Sequence, residues 1–158
     1  MVDLSFLLEG KYWASSTITY TFSKTFLNAN DERRAYINTN ISKIIDLPTI
    51  ADGNSALASA AMTAWSNVAG IIFKPSTSPA SADIAILQAN VIGTPTGFAS
   101  VPTYTTGNIA GAAIFFESGQ PLNVYLHELG HALGLSHPGG TGSAFSNPNY
   151  NTNTTIMS

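Results

Sequence analysis

One stretch of the sequence, residues 127–137, has the spacing of a metal site. It is HELGHALGLSH, and it contains all three histidines of the 158-residue chain. His127 and His131 are four residues apart, so on a helix their side chains project from the same face. Two imidazoles in this arrangement can bind a single Zn²⁺ at roughly 2.0–2.1 Å each.

Gly134 and His137 extend this pair to a three-ligand site. A glycine suits the position just after a helix, where a left-handed backbone is easily adopted by a residue without Cβ. The chain can then turn and bring His137 to the same ion. Three protein ligands leave one position open, which is the arrangement of catalytic rather than structural zinc. Glu128, beside the first ligand, can reach a water at that position and act as general base.

Histidines that merely pack or face solvent are the alternative interpretation of this motif. It is disfavoured because Gly134 and His137 must also fall in register with the first pair. The helix has independent support, since Pro121 suits its first turn and Ser118 or Gln120 is placed to cap it. Four leucines have the spacing of a buried stripe, on a different side from the ligands: Leu122, Leu126, Leu129 and Leu133.

Length and composition predict one domain spanning residues 1–158 and exclude several functions. Hydrophobic residues make up 44% of the chain, enough for a core, and charged residues only 9%. The net charge of −3 leaves no basic patch for nucleic acid or an anionic membrane. Cysteine is absent, which excludes thiol chemistry. No apolar run approaches the roughly 20 residues of a membrane span, and no signal peptide is visible at the N-terminus.

The rest of the chain predicts strands alternating with helices. Period-two and β-branched patterns predict strands at 17–22, 71–74, 83–87, 98–101 and 109–116. An apolar stripe predicts a helix at 55–69, with Ser55 as its N-cap and Gly70 at its end. Isoleucines on one face predict another helix within 30–46. Trp65 is expected in the core, and Asp83 in a structural role.

The motif and its surroundings resemble the serralysin-type group of the metzincin zinc metalloproteases. Pro138 and Gly139 follow the third histidine, as in that group's pattern H-E-[IL]-G-H-A-L-G-L-x-H-P-G. The final residues, Thr155-Ile156-Met157-Ser158, are similar to the group's Met-turn, in which a methionine lies beneath the zinc. The resemblance is specific over 55–137 and 156–158 and loose elsewhere.

This resemblance implies an α+β fold. The fold consists of a twisted five-stranded, mostly parallel sheet, in which one edge strand is antiparallel, and of two long helices. It implies an upper subdomain of about residues 1–137 and a short lower subdomain of 138–158. Four residues correspond to the edge strand that holds substrate in extended form: Phe98, Ala99, Ser100 and Val101. The alternative for these four residues is an ordinary surface strand.

The function implied is a secreted, zinc-dependent endopeptidase that hydrolyses proteins with a metal-activated water and Glu128 as general base. One catalytic Zn²⁺ is expected, and no calcium. The expected partners are polypeptide substrates, together with a missing C-terminal domain or a protein inhibitor. In the family a tyrosine follows the Met-turn and a calcium-binding repeat domain follows the protease. Because the sequence ends at Ser158, a truncated form with reduced activity is expected. The alternative is a weakly active or non-catalytic zinc-binding module from a larger protease or toxin.

Overall fold

The computed structural model describes residues 11–28, 44–46, 52–91, 97–101, 108–137 and 156–157. Its strands are β1 (Thr17–Thr21), β2 (Ile44–Asp46), β3 (Ile72–Pro75), β4 (Ile84–Gln88), β5 (Asn90–Val91), β6 (Gly97–Ser100) and β7 (Ala112–Phe116). Its α-helices are α1 (Asp52–Ala69) and α2 (Leu122–Ala132). Two short 3₁₀ helices span Lys24–Asn28 and Pro79–Ser81.

Five strands form the main sheet in the order β3-β1-β4-β7-β6. The pairs β1–β3, β1–β4 and β4–β7 are parallel, whereas β6 runs antiparallel to β7 at the edge of the sheet. The predicted α+β architecture, with five mostly parallel strands, one antiparallel edge strand and two helices, is confirmed. The strands match the predicted segments to within a few residues.

The two helices lie on one face of this sheet. The central strands β4 and β7 are almost wholly buried, and their side chains alternate between two apolar clusters. The larger cluster lies between sheet and helices and includes Ile18, Ala61, Met62, Ile84, Ile114, Phe116, Tyr125 and Leu129. The smaller covers the opposite face and consists of Phe26, Ala82, Ala85, Leu87, Ala89, Ala113 and Phe115. Helix α2 is therefore fixed against the sheet on the side that also holds α1.

A second sheet, β2 paired antiparallel with β5, was not predicted. The predicted helix within 30–46 is wrong for Ile44–Asp46, which is a strand, and residues 30–43 lie outside the described part of the chain. The isoleucine spacing there fits a helix face, but pairing with Asn90–Val91 gives this segment backbone hydrogen bonds that local sequence does not reveal.

Helix α1 begins three residues before its predicted N-cap, so Ser55 lies inside the helix. Asn54 explains the extension: it is buried, and its side-chain amide donates a hydrogen bond to Gln88 at 2.9 Å. This contact with β4 fixes the first turn from outside. The end is as predicted, since Gly70 has φ of 66°.

Asp83 has the predicted structural role. One oxygen of its carboxylate accepts hydrogen bonds from both the backbone N–H and the hydroxyl of Thr19, each at 2.7 Å. The two residues thereby join β1 to the start of β4.

Within the described residues, neither helix is long and apolar enough to cross a membrane.

The buried face of α2 differs from the predicted leucine stripe. Of the four leucines only Leu129 is fully buried, and Leu122 is 38% exposed. The buried residues are Tyr125, Glu128, Leu129, Gly130 and Ala132. The helix begins after Pro121 and has no side-chain cap, so the predicted capping by Ser118 or Gln120 is wrong. Packing on β6 and β7 turns the helix so that Glu128 faces the protein.

Candidate metal centre

The three histidines of the motif converge on one point. His127 and His131 project from α2, and His137 follows the turn after it. Nε2 of His131 lies 3.1 Å from Nε2 of His127 and 3.1 Å from Nε2 of His137, and the remaining pair is 2.9 Å apart. These three nitrogens are close enough to hold a single metal ion.

Backbone carbonyls fix the tautomers of two of these rings. Nδ1 of His127 lies 2.7 Å from the carbonyl oxygen of Ile156, and Nδ1 of His131 lies 2.8 Å from that of Leu135. A carbonyl can only accept, so each Nδ1 carries a hydrogen, and in the neutral ring each Nε2 then presents a lone pair. Two lone pairs facing each other at 3.1 Å repel, and a bound cation removes that repulsion. The donor set therefore fits a metal ion that takes neutral imidazole ligands.

A Schellman turn after α2 brings His137 to the other two rings. Gly134 has φ of 97°, which confirms the predicted left-handed glycine. Its N–H donates to the carbonyl of His131 at 2.9 Å, and the N–H of Leu135 donates to that of Gly130 at 3.0 Å. The same turn presents the Leu135 carbonyl to His131. One local motif thus sets the orientation of the His131 ring and the position of His137.

Met157, the predicted Met-turn residue, packs against the same helix at Gly130. Its side chain is completely buried. A Cβ on Gly130 would collide with its sulfur and would come within 3.1 Å of Trp65. Glycine at 130 is what allows the methionine side chain to lie directly against the helix backbone at that residue. The neighbouring Ile156 supplies the carbonyl that orients His127.

Among the described residues, Glu128 is the one acidic side chain next to the three histidines, and it is 7% exposed. Burial raises the pKa of its carboxyl to about 7, while a hydrogen bond from the backbone N–H of Ala99 acts in the opposite direction. A carboxyl with a pKa near neutrality is suited to exchanging protons with water near pH 7. The bond to Ala99 also connects α2 to the edge strand β6.

The four predicted substrate-binding residues of the edge strand have different positions. Ala99 faces α2 and reaches Glu128, and Val101 packs partly against the larger cluster. Phe98 instead stacks on Phe115 at 4.8 Å, on the opposite face of the sheet. The backbone of Ser100 is in register with Ala113 of β7. Among the described contacts of these four residues, the backbone hydrogen bond of Ala99 to Glu128 connects the strand to the candidate site.

Two residues of the site were missed in the sequence. Gly97 lies opposite Phe116, where a Cβ would be 3.0 Å from the Phe115 carbonyl and 3.4 Å from Cγ of Glu128. Trp13 donates its indole N–H to the carbonyl of Ala132 at 2.9 Å. A break in apolar alternation at 97 was a visible signal for the glycine. Nothing in the sequence links Trp13 to a residue 119 positions later.

The sequence matches no protein-family model, and no curated protein matches it at a significant level. What the structure defines is therefore a class by fold and site. The chain is an α+β protein in which a helix against the edge of a mostly parallel sheet presents a three-histidine cluster able to hold a metal ion.

Proposed function

We propose that this protein is a zinc-dependent endopeptidase of the serralysin-type metzincin group. One observation supports this above the others: three histidine Nε2 atoms lie within 2.9–3.1 Å of one another, two of them on the helix that also holds the buried carboxyl of Glu128 and the third just after its C-terminal turn. A site that only stored metal would have no use for an acid–base group held in this way.

Zinc is the metal that best fits these donors. Within the part of the chain that the structure describes, three imidazoles form the ligand cluster without a carboxylate, which matches the His₃ class of catalytic zinc sites. When bound, zinc lowers the pKa of a water molecule toward about 7 and polarises a substrate carbonyl. His127, His131 and His137 would hold the ion, with the first two kept in the correct tautomer by the carbonyls of Ile156 and Leu135.

Glu128 is the proposed general base. It takes the proton of the attacking water and delivers it to the nitrogen of the leaving amine. Its carboxyl has little contact with solvent and is oriented by the N–H of Ala99. This leaves the carboxylate in a fixed position, and general acid–base catalysis of this kind contributes about 10²–10⁴ in rate.

The proposed substrate is a polypeptide in extended form that pairs with β6. This strand ends the five-strand order, so among the described residues no strand covers its outer side. The Ala99 N–H is directed at Glu128, so the outer side of β6 is also the side of the site. An extended peptide added there forms backbone hydrogen bonds that depend little on sequence. Unfolded proteins outside the cell are the substrate class that the resemblance favours.

The test is zinc content together with cleavage of unfolded casein, in wild type and in Glu128→Gln. Glutamine keeps the shape and an acceptor for the Ala99 N–H but cannot act as base. The matched control is Glu117→Gln, the same change just after β7 and outside the motif. Chelation with 1,10-phenanthroline and restoration with Zn²⁺ complete the design.

We expect about one zinc per chain in all three proteins. Cleavage should fall at least about 10²-fold in Glu128→Gln and stay near wild type in Glu117→Gln. If all three proteins bind zinc but wild type cleaves no casein, the protein is a metal-binding module and not a protease. Absence of zinc from wild type under zinc-replete conditions would refute the site assignment.

A further inference from the structure

The C-terminal end of α2 leaves one carbonyl that its own turn does not satisfy. In the Schellman turn the N–H groups of Gly134 and Leu135 pair with the carbonyls of His131 and Gly130. The carbonyl of Ala132, the last residue of α2, accepts neither of these two hydrogen bonds. Ala132 is completely buried, so water is a poor substitute there.

The indole N–H of Trp13 fills this gap at 2.9 Å. Trp13 comes from a segment before β1, far from the motif in sequence. Lys11 of the same segment places its carbonyl against Gly134, so closely that a Cβ on the glycine would collide with it. Tyr12 accepts a hydrogen bond from the N–H of Ile109 at 2.8 Å. The segment is thus anchored by its hydrogen bond to Ile109, and it contacts the C-terminal end of α2 through Trp13 and Lys11.

We propose that Trp13 is a positioning residue for the metal centre, rather than a residue of the core alone. It satisfies the last carbonyl of α2 and so keeps the Schellman turn closed. That turn carries the Leu135 carbonyl that orients His131, and it sets the place of His137. The inference rests on the proposed metal binding, but it is independent of whether the protein cleaves peptides.

Loss of the indole donor should act on metal affinity through these ligands. Without it, the carbonyl of Ala132 gains a partner only if the last turn opens to water. Opening displaces the Leu135 carbonyl from His131 and moves His137 away from the other two rings. Loss of groups that orient metal ligands typically lowers affinity about 10–100-fold.

Trp65 offers a matched control on the same helix. Its indole N–H donates to the carbonyl of Leu126 at 3.0 Å. That carbonyl lies inside α2, where the helix already pairs it with an N–H four residues on. Trp13→Phe and Trp65→Phe therefore delete the same kind of hydrogen bond, one at the turn and one within the helix.

The experiment measures the Zn²⁺ dissociation constant of the full chain by competition with a chromophoric chelator, and urea unfolding of the chelator-treated protein. Trp13→Phe should raise the dissociation constant about 10-fold or more, whereas Trp65→Phe should change it less than about twofold. Replacing Trp13 by benzothienylalanine, which has sulfur in place of the indole N–H, should reproduce the Trp13→Phe result. It also keeps the test usable if phenylalanine leaves the protein unfolded.

Three results would overturn the inference. Equal zinc affinity in wild type and the benzothienylalanine protein would show that the indole donor does not position the ligands. Equal losses in Trp13→Phe and Trp65→Phe would indicate a general effect of packing on the helix. If wild type binds no zinc, both this inference and the proposed function fail. If wild type binds zinc tightly and the Trp13 variants bind it equally well, only this inference fails.

Discussion

Gly130 of α2 packs directly against the side chain of Met157. Alanine is normally preferred to glycine inside a helix by about 0.8–1 kcal/mol. Here the added Cβ would collide with the sulfur of Met157, which is completely buried and has Trp65 beside it. Overpacking of a closed core costs about 1–3 kcal/mol, so the steric effect outweighs the helix propensity.

We therefore expect Gly130→Ala to lower the free energy of unfolding by about 1–2 kcal/mol, measured by urea denaturation without metal. Met157→Ala should cost about 2–5 kcal/mol on its own through loss of buried volume. The double variant should be less destabilised than the sum, because the smaller side chain makes room for the new Cβ. Simple additivity would show that the two residues do not compete for space.

Tyr125 lies on the buried face of the same helix with its ring stacked on Phe116 at 4.1 Å. Its hydroxyl is buried and has no hydrogen-bond partner among the residues that the structure describes. The same burial raises the pKa of the phenol. A buried, unsatisfied hydroxyl carries a desolvation penalty of about 1–3 kcal/mol.

Tyr125→Phe removes this penalty and keeps the stacked ring. The variant should be as stable as wild type or more stable by up to about 1 kcal/mol, read from the urea midpoint. Tyr20→Phe, in a half-buried ring pair with Phe22, is the control and should have a small effect. A loss above about 1 kcal/mol at position 125 would mean that the hydroxyl has a partner in solution.

At the scale of residues, the sequence identified those whose roles depend on local spacing. His127, His131 and His137 come together because a helix and one glycine turn connect them. The burial of Glu128 could not be predicted in this way, because it depends on β6, which precedes it by about thirty residues. The contact of Trp13 with Ala132 is longer still in sequence and leaves no periodic signal.

At the scale of elements, the site depends on how closely β6 approaches α2. Gly97 permits this approach, because a Cβ there would lie 3.0 Å from both the Phe115 carbonyl and the Phe116 ring. Neither neighbour can easily give way, since both belong to the buried strand β7. A side chain at 97 must therefore push β6 outward, and Ala99 moves with it away from Glu128.

Gly97→Ala should lower kcat for casein-derived peptides at least about tenfold while zinc content stays at one per chain, because the strand that orients Glu128, the proposed base, has moved. Phe98→Leu is the control: it loosens β6 from the opposite face, against Phe115. It should reduce stability more than kcat. Equal kcat values for Gly97→Ala and wild type would show that the spacing of strand and helix is not critical.

The elements that the sequence predicted are those with a local signal, either a periodic pattern or a short apolar run bounded by turn residues. The five strands of the main sheet and α1 fall in this group, although α1 extends to Asp52 because Asn54 bonds to Gln88. The strand Ile44–Asp46 was missed because its regular structure comes from pairing with Asn90–Val91. Pairing between distant segments has no counterpart in local spacing.

At the scale of the whole molecule, the candidate centre joins segments that are far apart in sequence. Its ligands lie on α2 and the following turn, the Trp13 segment closes the helix end, and Ile156 holds His127 through its carbonyl. A bound ion would fix all three rings at once and thereby hold these segments together. Metal binding to such a site is part of the free energy of folding.

Removal of metal should therefore destabilise the entire protein. With zinc at about a thousandfold above its dissociation constant, linkage predicts about 4 kcal/mol of stabilisation. For a domain of this length that corresponds to a rise in Tm of about 10 °C, which excess chelator should abolish. His137→Ala is the decisive control, because His137 is exposed and its loss removes a ligand without opening the core. If the chelator lowered the Tm of this variant as much as that of wild type, the ion would be bound somewhere other than the three histidines.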